Sequence, residues 1–251
     1  MSQDISNNEA LSVKEDQTID GLDKDSSFAH AKGVSGLEEL LAYFSPALVA
    51  RTKQSFAGQD PAHDWAHNVR VMLVAERIGQ EEQADMKILR YAALLHDIGR
   101  AEERRTGECH AEISARWAAE WLESEPAFTQ LDAKEEAEQI KAIQQAILTH
   151  RFRKNNPPTT LEERILFDSD KLDSIGAIGI GRAFAYSGLI KQSIQLLPGE
   201  EGHTPTGEFQ VKLVKLKDRL YTHTAKRLAE ERHQFMVDFY KRFELEILGL
   251  V

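Results

Sequence analysis

Apolar residues recur at helical spacing along most of this chain, and at four places a histidine begins or ends such an apolar stripe. In one of them His67 is followed by Val71, Val74 and Ile78, at i+4, i+7 and i+11, so the histidine shares the buried face of a helix. No segment of the sequence shows the strict alternation of apolar and polar residues that predicts a half-buried strand. The pattern therefore predicts an all-α fold.

The first 34 residues have a different composition. They are rich in Ser, Asp, Glu, Asn and Gln and contain few large apolar residues, so burial cannot offset the entropy that ordering them would cost. The whole chain has 251 residues and 41% hydrophobic content, which is enough for the core of one large domain. We predict a disordered acidic tail over residues 1–34 and one helical domain over residues 35–251.

Charge and cysteine content argue against several classes of protein. The formal net charge is -10 and the sequence shows no basic stripe, so we expect no nucleic acid duplex as a partner. A small phosphate substrate chelated to a metal is compatible with this charge, because local cations and the metal can outweigh it. Cys109 is the single cysteine and no apolar run reaches membrane-spanning length, so we expect a cytoplasmic protein that does not enter a membrane.

The stretch from Leu94 to Arg100 places His96 and Asp97 side by side, directly after an apolar run. Alone, such a pair is explained equally well by an imidazole that its neighbouring acid satisfies and by two metal ligands. We predict a helix over about residues 81–97, with Gly99 as its stop. Adjacent residues are rotated by about 100° around a helix, so both side chains reach one ion only near a helix end. That is where the pair stands.

Three further helices are predicted to carry a histidine at the end of an apolar stripe. His110 begins one helical segment, and the amphipathic helix over residues 133–150 ends on a histidine. The helix that carries His67 is predicted to begin with Asp60 as its N-cap and Pro61 at its first position.

A capping-box motif at Thr160–Glu163 opens a helix that holds three acids within six residues. Asp168, Asp170 and Asp173 lie in an apolar context, which is costly unless the acids are paired or bound to a cation. We expect Asp168 to point away from a shared site. Asp170 and Asp173 stand three positions apart, on neighbouring faces, and are the candidate ligands.

Two arginines near the His-Asp pair have two interpretations. The mixed charge run Glu102–Arg105 is most simply a solvated loop. Arg100, just before the run, and Arg104 within it are also candidates for contact with a phosphate group.

The four histidines and Asp170, on five separate helices, favour one shared site. Each unpaired buried polar group costs about 1–3 kcal/mol, so convergence on an ion is a simpler explanation than five separate partners. The mixture of nitrogen and oxygen ligands is typical of Mn, Fe, Zn, Co and similar ions, and not of an oxygen-only site for calcium.

The order His67, then His96-Asp97, then Asp170 resembles the H…HD…D signature of the HD-domain metal-dependent phosphohydrolases. His67–Val71 and Leu94–Gly99 resemble the first two ligand helices of that family. Asp168–Gly176 is similar to the last ligand helix of a bacterial subgroup of nucleotide phosphohydrolases. The resemblance extends over roughly residues 40–245, and the combined motif is far more specific than a lone His-Asp pair.

The resemblance implies an HD-domain helical bundle around a centre for one or two divalent ions, of which Mn, Fe, Co, Ni, Zn and Mg are the candidates. The ligands it implies for the first ion are His67, His96, Asp97 and Asp170. If a second ion binds, His110 and His150 are its implied ligands, with Asp97 as the bridge; either histidine could instead contact phosphate.

The resemblance also implies roles in the reaction. A water activated by the metal would attack phosphorus, with Asp97, Asp170 and Lys171 as catalytic residues. The cations implied to contact the phosphate are Arg70, Arg100 and Lys171. Asp173 or His63 would orient the water.

The expected function is hydrolysis of a phosphoester or phosphoanhydride bond of a nucleotide or another phosphorylated small molecule, with (d)NTP pyrophosphohydrolysis as the leading reaction. An HD-type cyclic-nucleotide phosphodiesterase or 5'-nucleotidase is the first alternative. A non-catalytic helical protein that binds a metal or a nucleotide is the second. The sequence is compatible with a homo-oligomer and does not identify the base.

Overall fold

The computed structural model describes residues 36–60, 62–151, 156–196 and 200–251. Within these ranges the chain forms helices and turns and no strand, so the predicted all-α class is confirmed. The proposed tail and Pro61 lie outside the described residues. After a turn of helix at residues 36–41, the α-helices are α1 (Pro46–Ser55), α2 (Trp65–Glu82), α3 (Met86–Leu95), α4 (Arg100–Thr106), α5 (His110–Leu122), α6 (Pro126–Thr129), α7 (Ala133–Thr149), α8 (Leu161–Leu172), α9 (Gly176–Leu189), α10 (Pro205–Val211) and α11 (His223–Ile247).

Helix α3 lies at the centre of the bundle. After Arg90 its sequence is apolar on every side, which is the pattern of a helix with no face left for solvent. Leu89, Tyr91, Leu94 and Leu95 are completely buried, and the helix packs against α2, α7 and α8. Because α3 ends at Leu95, the next two residues, His96 and Asp97, lie buried inside the core.

Helix α2 begins four residues later than the sequence pattern predicted. Asp64, not Asp60, is its N-cap, and the Asp64 side chain accepts a hydrogen bond from the backbone N–H of His67 at 2.9 Å. Asp60 instead accepts from the backbone N–H of Ala62 at 3.0 Å and pairs with Arg104, so the chain turns before the helix starts. The predicted N-cap at Asp60 is therefore wrong.

Helix α3 is shorter at both ends than the predicted helix over residues 81–97. Gln83 adopts a left-handed conformation that ends α2, and Asp85 caps the new helix by accepting from two backbone N–H groups. Gly99, predicted as a helix stop, precedes α4 and has an ordinary φ of -84°. A Cβ there would lie 2.7 Å from the carbonyl oxygen of His110, so the glycine is needed for the close approach of α5.

The charged run Glu102–Arg105 is helical, which corrects its interpretation as a loop. It forms most of α4, with acidic residues in the first turn and basic residues in the last, an order that suits the helix dipole. Gly107, at a φ of +78°, ends the helix. One face of α4 therefore lies against the end of α3, where Arg100 contacts Asp97.

Helix α8 begins at the predicted capping residue, since Thr160 accepts from the backbone N–H of Glu163 at 3.3 Å. Further along α8, Asp168 is fully buried and accepts from the backbone N–H groups of Tyr221 and Thr222 at 2.9 and 2.8 Å. These bonds hold the chain at the start of α11. Asp168 thus serves the packing of the C-terminal helix, on the side away from Asp170, as expected.

None of the helices described by the structure is both long enough and apolar enough to cross a membrane.

Candidate metal centre

Three helix ends bring a first group of ligand atoms together. His67 lies in the first turn of α2, His96 directly follows α3 and Asp170 lies in the last turn of α8; all three are buried. Each offers one ligand atom within 4.8 Å of the others. Nε2 of His67 lies 3.5 Å from Oδ1 of Asp170.

A second group lies on the other side of Asp97. His110 is the first residue of α5 and His150 directly follows α7. Their Nε2 atoms are 3.3 Å apart, and they lie 3.4 and 3.5 Å from Oδ1 of Asp97. The three residues offer ligand atoms within 4.8 Å of one another and are buried.

Asp97 connects the two groups because its two oxygens face different histidines. Oδ2 lies 3.6 Å from Nε2 of His67 and 3.6 Å from Nε2 of His96, whereas Oδ1 faces His110 and His150. Each group could hold one divalent ion, and Asp97 would offer one oxygen to each group.

Each of the four histidines has a hydrogen bond to Nδ1, the ring nitrogen on the side away from the centre. Two of these bonds go to carboxylates: Nδ1 of His67 lies 2.7 Å from Oδ2 of Asp173, and Nδ1 of His110 lies 2.7 Å from Oε2 of Glu103. The other two go to carbonyls three residues earlier. Nδ1 of His96 lies 2.9 Å from the oxygen of Ala93, and Nδ1 of His150 lies 2.5 Å from that of Ile147.

These bonds fix the tautomer of the neutral rings. A carbonyl accepts hydrogen bonds and cannot donate them, so Nδ1 of His96 and of His150 carries the hydrogen, and in the neutral ring Nε2 has the lone pair. The carboxylates of Asp173 and Glu103 favour the same tautomer for the other two histidines. Four lone pairs directed at one region is the arrangement in which imidazole binds a metal ion.

Three buried atoms test whether a cation fits here. Nε2 of His67, Nε2 of His96 and Oδ1 of Asp97 have no hydrogen-bond partner among the described residues. Such atoms each cost about 1–3 kcal/mol when they are left unsatisfied. All three belong to the two ligand groups, and their nitrogen and oxygen chemistry suits a divalent transition metal, so the residues fit the ion that the sequence implied.

The electrostatics keep four of these ligands, His96, His110, Asp97 and Asp170, in the protonation states that a metal requires. Burial lowers the pKa of His96 to about 4 and that of His110 to about 3, so both rings are neutral at neutral pH. Burial alone would raise the pKa of Asp97, but Arg100 and the surrounding histidines hold it well below its usual range. Lys171 does the same for Asp170.

The centre opens on a cavity of about 300 Å³, to which His110, His150 and Asp170 contribute. Its wall is rich in cations from several helices and loops. The cations are Arg100, Arg151, Lys171, Arg182, Lys212 and Arg219. A cavity of this size with so many cations beside two candidate metal positions suits a polyanion such as a phosphate chain.

Two of the three cations predicted to contact a phosphate lie at this cavity. Nε of Arg100 is 2.8 Å from Oδ2 of Asp97, and Nζ of Lys171 is 2.5 Å from Oδ2 of Asp170. Arg70 does not line the cavity; its guanidinium binds both oxygens of Asp173, at 2.7 and 3.0 Å.

The other predicted site residues also differ in whether they line the cavity. Arg104 pairs with Asp60 and does not line the cavity, whereas His63 does. Asp173 lies behind His67 and also accepts from Arg182 at 2.8 Å, so its contacts are with a ligand and two arginines. The geometry gives it the position of a support for His67.

Glu103, Arg182 and Lys212 are among the residues at the site that the sequence did not single out, as are Arg151 and Arg219. Glu103 was assigned to a solvated run, although its spacing of seven from His110 would have been a signal if that run had been read as helical. Arg182 stands two turns into α9, after the last ligand helix. Lys212 lies among several lysines, and nothing in the local pattern distinguishes it.

The chain is similar to known proteins over the region that contains this site. A family model for the HD domain matches residues 64–175, the span from the start of α2 to just beyond α8. The YpgQ protein of Bacillus subtilis strain 168 is 32% identical over 192 residues, which are 76% of this chain and 88% of YpgQ.

Solved structures are similar over the same region. The structure of a predicted HD superfamily hydrolase from an uncultured Thermotogales bacterium has a TM-score of 0.58 at 32% identity. The match covers 80% of this chain and 92% of the other chain. The structure of YpgQ from Bacillus subtilis in complex with ADP has a TM-score of 0.61 at 26% identity. The match covers 81% of this chain and 100% of the YpgQ chain.

Proposed function

Because this chain belongs to the HD-domain family of hydrolases, we propose that it is a metal-dependent phosphohydrolase whose substrate is a nucleotide. The observation that carries the proposal is the placement of Asp97. Its two oxygens face two separate groups of ligand atoms, and both groups adjoin a cavity lined by six cations among the described residues.

The proposed ligands of the first ion are His67, His96, Asp97 and Asp170, and those of the second are His110 and His150 together with Asp97. When bound, such ions lower the pKa of a coordinated water and offset negative charge on a phosphoryl group. The protein contributes position: Arg100 holds Asp97 and Lys171 holds Asp170 in one orientation.

The same two cations have a second part in the proposal. Arg100 and Lys171 line the cavity as well as holding carboxylates, so a phosphate placed there would lie beside them. Arg151, Arg182 and Lys212 would bind the remainder of a phosphate chain. Fixed cations in a partly enclosed site stabilise charge that develops on phosphate oxygens as the bond breaks.

His63 is the proposed proton-handling residue. It lines the cavity, and burial lowers the pKa of its ring, so it is neutral at neutral pH. Its Nδ1 lies 3.1 Å from Oδ1 of Asp60, which leaves Nε2 as the nitrogen able to accept a proton. A neutral imidazole at the edge of a phosphate site suits general base catalysis or the orientation of water.

A nucleotide is favoured over other phosphorylated molecules for two reasons. The related YpgQ protein has been crystallised with ADP. The number of cations at the cavity also exceeds what a single phosphate group needs. We therefore favour a nucleoside di- or triphosphate, with (d)NTP pyrophosphohydrolysis as the leading reaction.

A substrate panel tests the proposal. Purified protein is assayed with Mn²⁺, Mg²⁺, Co²⁺ and Ni²⁺ against nucleoside mono-, di- and triphosphates and cyclic nucleotides, and inorganic phosphate and pyrophosphate are measured separately. Pyrophosphate from triphosphates supports the leading reaction. Phosphate from monophosphates, or opening of cyclic nucleotides, would instead indicate a nucleotidase or phosphodiesterase.

The Asp97→Asn variant provides the matched control for the site. It keeps the shape of the side chain and removes the charge that both ligand groups share, so bound metal and activity should both fall by more than tenfold. Glu138→Gln makes the same chemical change on the exposed face of α7 and should alter neither. Full metal content and activity in a folded Asp97→Asn protein would refute the site.

A further inference from the structure

A second and larger cavity adjoins the one at the metal centre. Its volume is about 740 Å³, and His63, Ser174, Arg182 and Lys212 line both cavities. The two spaces are therefore compartments of one cleft, with these four residues at their junction. Ligand pockets typically measure about 300–1,000 Å³, so the cleft is large enough for a ligand with two parts.

The two compartments differ in charge. The wall of the smaller one is cationic, as described above. Beyond the junction, the single residue with a formal charge among the described residues that line the larger compartment is Glu208. A second anionic group would be repelled there, and Lys212 and His203, each 3.2 Å from Glu208, already hold its carboxylate. The larger compartment thus suits an uncharged group.

The larger compartment also presents apolar and aromatic surface. The side chain of Tyr186 is 42% exposed and that of Val211 is 70% exposed, although both line a concave surface. The Tyr186 ring meets the ring of His203 edge to face, with centroids 5.9 Å apart. This contact fixes the orientation of the tyrosine and leaves apolar surface available to a flat ligand.

From this division we propose that the larger compartment binds the nucleoside, with the base against Tyr186 and Val211, and that the smaller one binds the phosphates. The inference rests on the proposed function and deepens it. An inorganic polyphosphate would leave the apolar compartment empty. A nucleotide fills both, because its base is flat and largely apolar whereas its phosphates are anionic.

The arrangement sets the direction of the substrate. Arg182 and Lys212 lie at the junction, where the sugar would meet the phosphate chain. Arg182 also donates to Oδ2 of Asp173, the residue that supports His67. The cation at the junction is therefore held by the same carboxylate as a proposed metal ligand, which fixes the distance from the nucleoside compartment to the reacting phosphate.

Hydrolysis of ATP and of inorganic tripolyphosphate by the Tyr186→Ala protein, both with Mn²⁺, tests the proposal. Loss of a base-ring stack should raise KM for ATP about tenfold and leave KM for tripolyphosphate within twofold. Tyr186 is partly exposed, so the variant should fold, and circular dichroism checks this. Phe235→Ala removes an exposed aromatic ring that lines neither cavity and should change neither KM.

The possible failures are distinct. If the wild type hydrolyses ATP and Tyr186→Ala has an unchanged KM for it, the nucleoside compartment is wrong and the proposed function stands. If the wild type does not hydrolyse nucleotides, the proposed function is wrong. Calorimetry with ADP and Mn²⁺ then tests the nucleoside compartment separately. The compartment is overturned if the wild type and Tyr186→Ala bind ADP with equal affinity, or if the wild type does not bind it.

Discussion

Oδ2 of Asp173 lies 2.7 Å from Nδ1 of His67, although the two residues are 106 positions apart in the chain. The contact has a counterpart in the second ligand group, where Oε2 of Glu103 lies 2.7 Å from Nδ1 of His110. Each group thus contains one histidine supported by a carboxylate and one supported by a backbone carbonyl. One supporting carboxylate directly follows α8 and the other lies in α4, so the two metal positions can be perturbed one at a time.

We expect Glu103→Gln to weaken the second metal position and Asp173→Asn to weaken the first. Loss of the supporting charge makes the imidazole a poorer ligand, and such changes typically reduce metal affinity about 10- to 100-fold. Titration of the metal-free proteins with Mn²⁺, followed by electron paramagnetic resonance, measures the two classes of site separately. Equal loss of both classes in Glu103→Gln would contradict the assignment.

Glu103 also accepts from Arg151 at 2.9 Å, and this second contact calls for a control. Arg151→Gln removes the cation at the cavity and leaves the bond between Glu103 and His110 intact. It should raise KM for a triphosphate and leave the Mn²⁺ affinity of the second site within twofold. A metal defect as large as that of Glu103→Gln would show that the arginine, rather than the carboxylate, supports the ligand.

Asp168→Ala should destabilise the protein and leave its metal binding intact. Asp168 accepts from two backbone N–H groups at the start of α11, and each buried group left unsatisfied costs about 1–3 kcal/mol. We expect the free energy of unfolding in urea to fall by about 3 kcal/mol. Asp170→Ala, two residues away, should have the opposite pattern, with metal lost and a smaller effect on the stability of the metal-free protein.

Gly99→Ala should displace α5 and with it His110. A Cβ at Gly99 would lie 2.7 Å from the carbonyl oxygen of His110 and 2.8 Å from Cβ of Ile113, distances that require a backbone shift. Thermal unfolding should show a loss of stability, and metal titration should show weaker binding at the second site.

Gly181→Ala is the matched substitution, because a Cβ at Gly181 would meet nothing within 4 Å. Gly181 lies inside α9, where alanine is favoured over glycine by about 0.5–1 kcal/mol. This variant should be slightly more stable than the wild type. A loss of stability in Gly181→Ala, or no loss of stability in Gly99→Ala, would contradict the packing that we describe.

The metal-free protein should lose stability as the pH falls from about 6.5 toward 4. Burial lowers the pKa of His96 to about 4 and that of His110 to about 3, whereas in the unfolded chain both titrate near 6.5. Over this window the unfolded chain binds protons that the folded protein does not, and each such histidine contributes a slope of up to about 1.4 kcal/mol per pH unit. Urea unfolding in the presence of a chelator at pH 7, 6 and 5 measures the effect.

His67 contributes to the pH dependence of stability with the opposite sign. The hydrogen bond with Asp173 and the nearby negative charges of Asp97 and Asp170 overcome the effect of burial and raise its pKa, so its contribution is complete below 6.5 and is lost only as the pH rises. It therefore does not cancel the fall on acidification. A free energy of unfolding that stays constant or increases between pH 7 and 5 would contradict the neutral state of His96 and His110. Saturation with Mn²⁺ should make the fall steeper, because protons then compete with the metal.

The sequence by itself predicted the helical class and the six candidate ligands. Both depend on local sequence. Apolar residues at a spacing of three and four mark the buried face of a helix, and a histidine at the end of that stripe is a polar side chain on the buried face. The four histidines, His67, His96, His110 and His150, were chosen in this way. Asp97 was chosen as the neighbour of His96 and Asp170 as an acid in an apolar helix, and the resemblance to the HD family implied their division between two ions. The structure brings these residues into two groups around Asp97.

Tertiary structure decided what supports and surrounds those ligands. Glu103 looked like one charge in a solvated run, and it became the partner of His110 only when α4 packed beside α5. Asp170 and Asp173 were equal candidates in the sequence pattern, and their different contacts, with Lys171 and with His67, appear only in the structure. The physical reason is that periodicity records how deeply a side chain is buried, whereas its partner is chosen by helices that pack from distant parts of the chain.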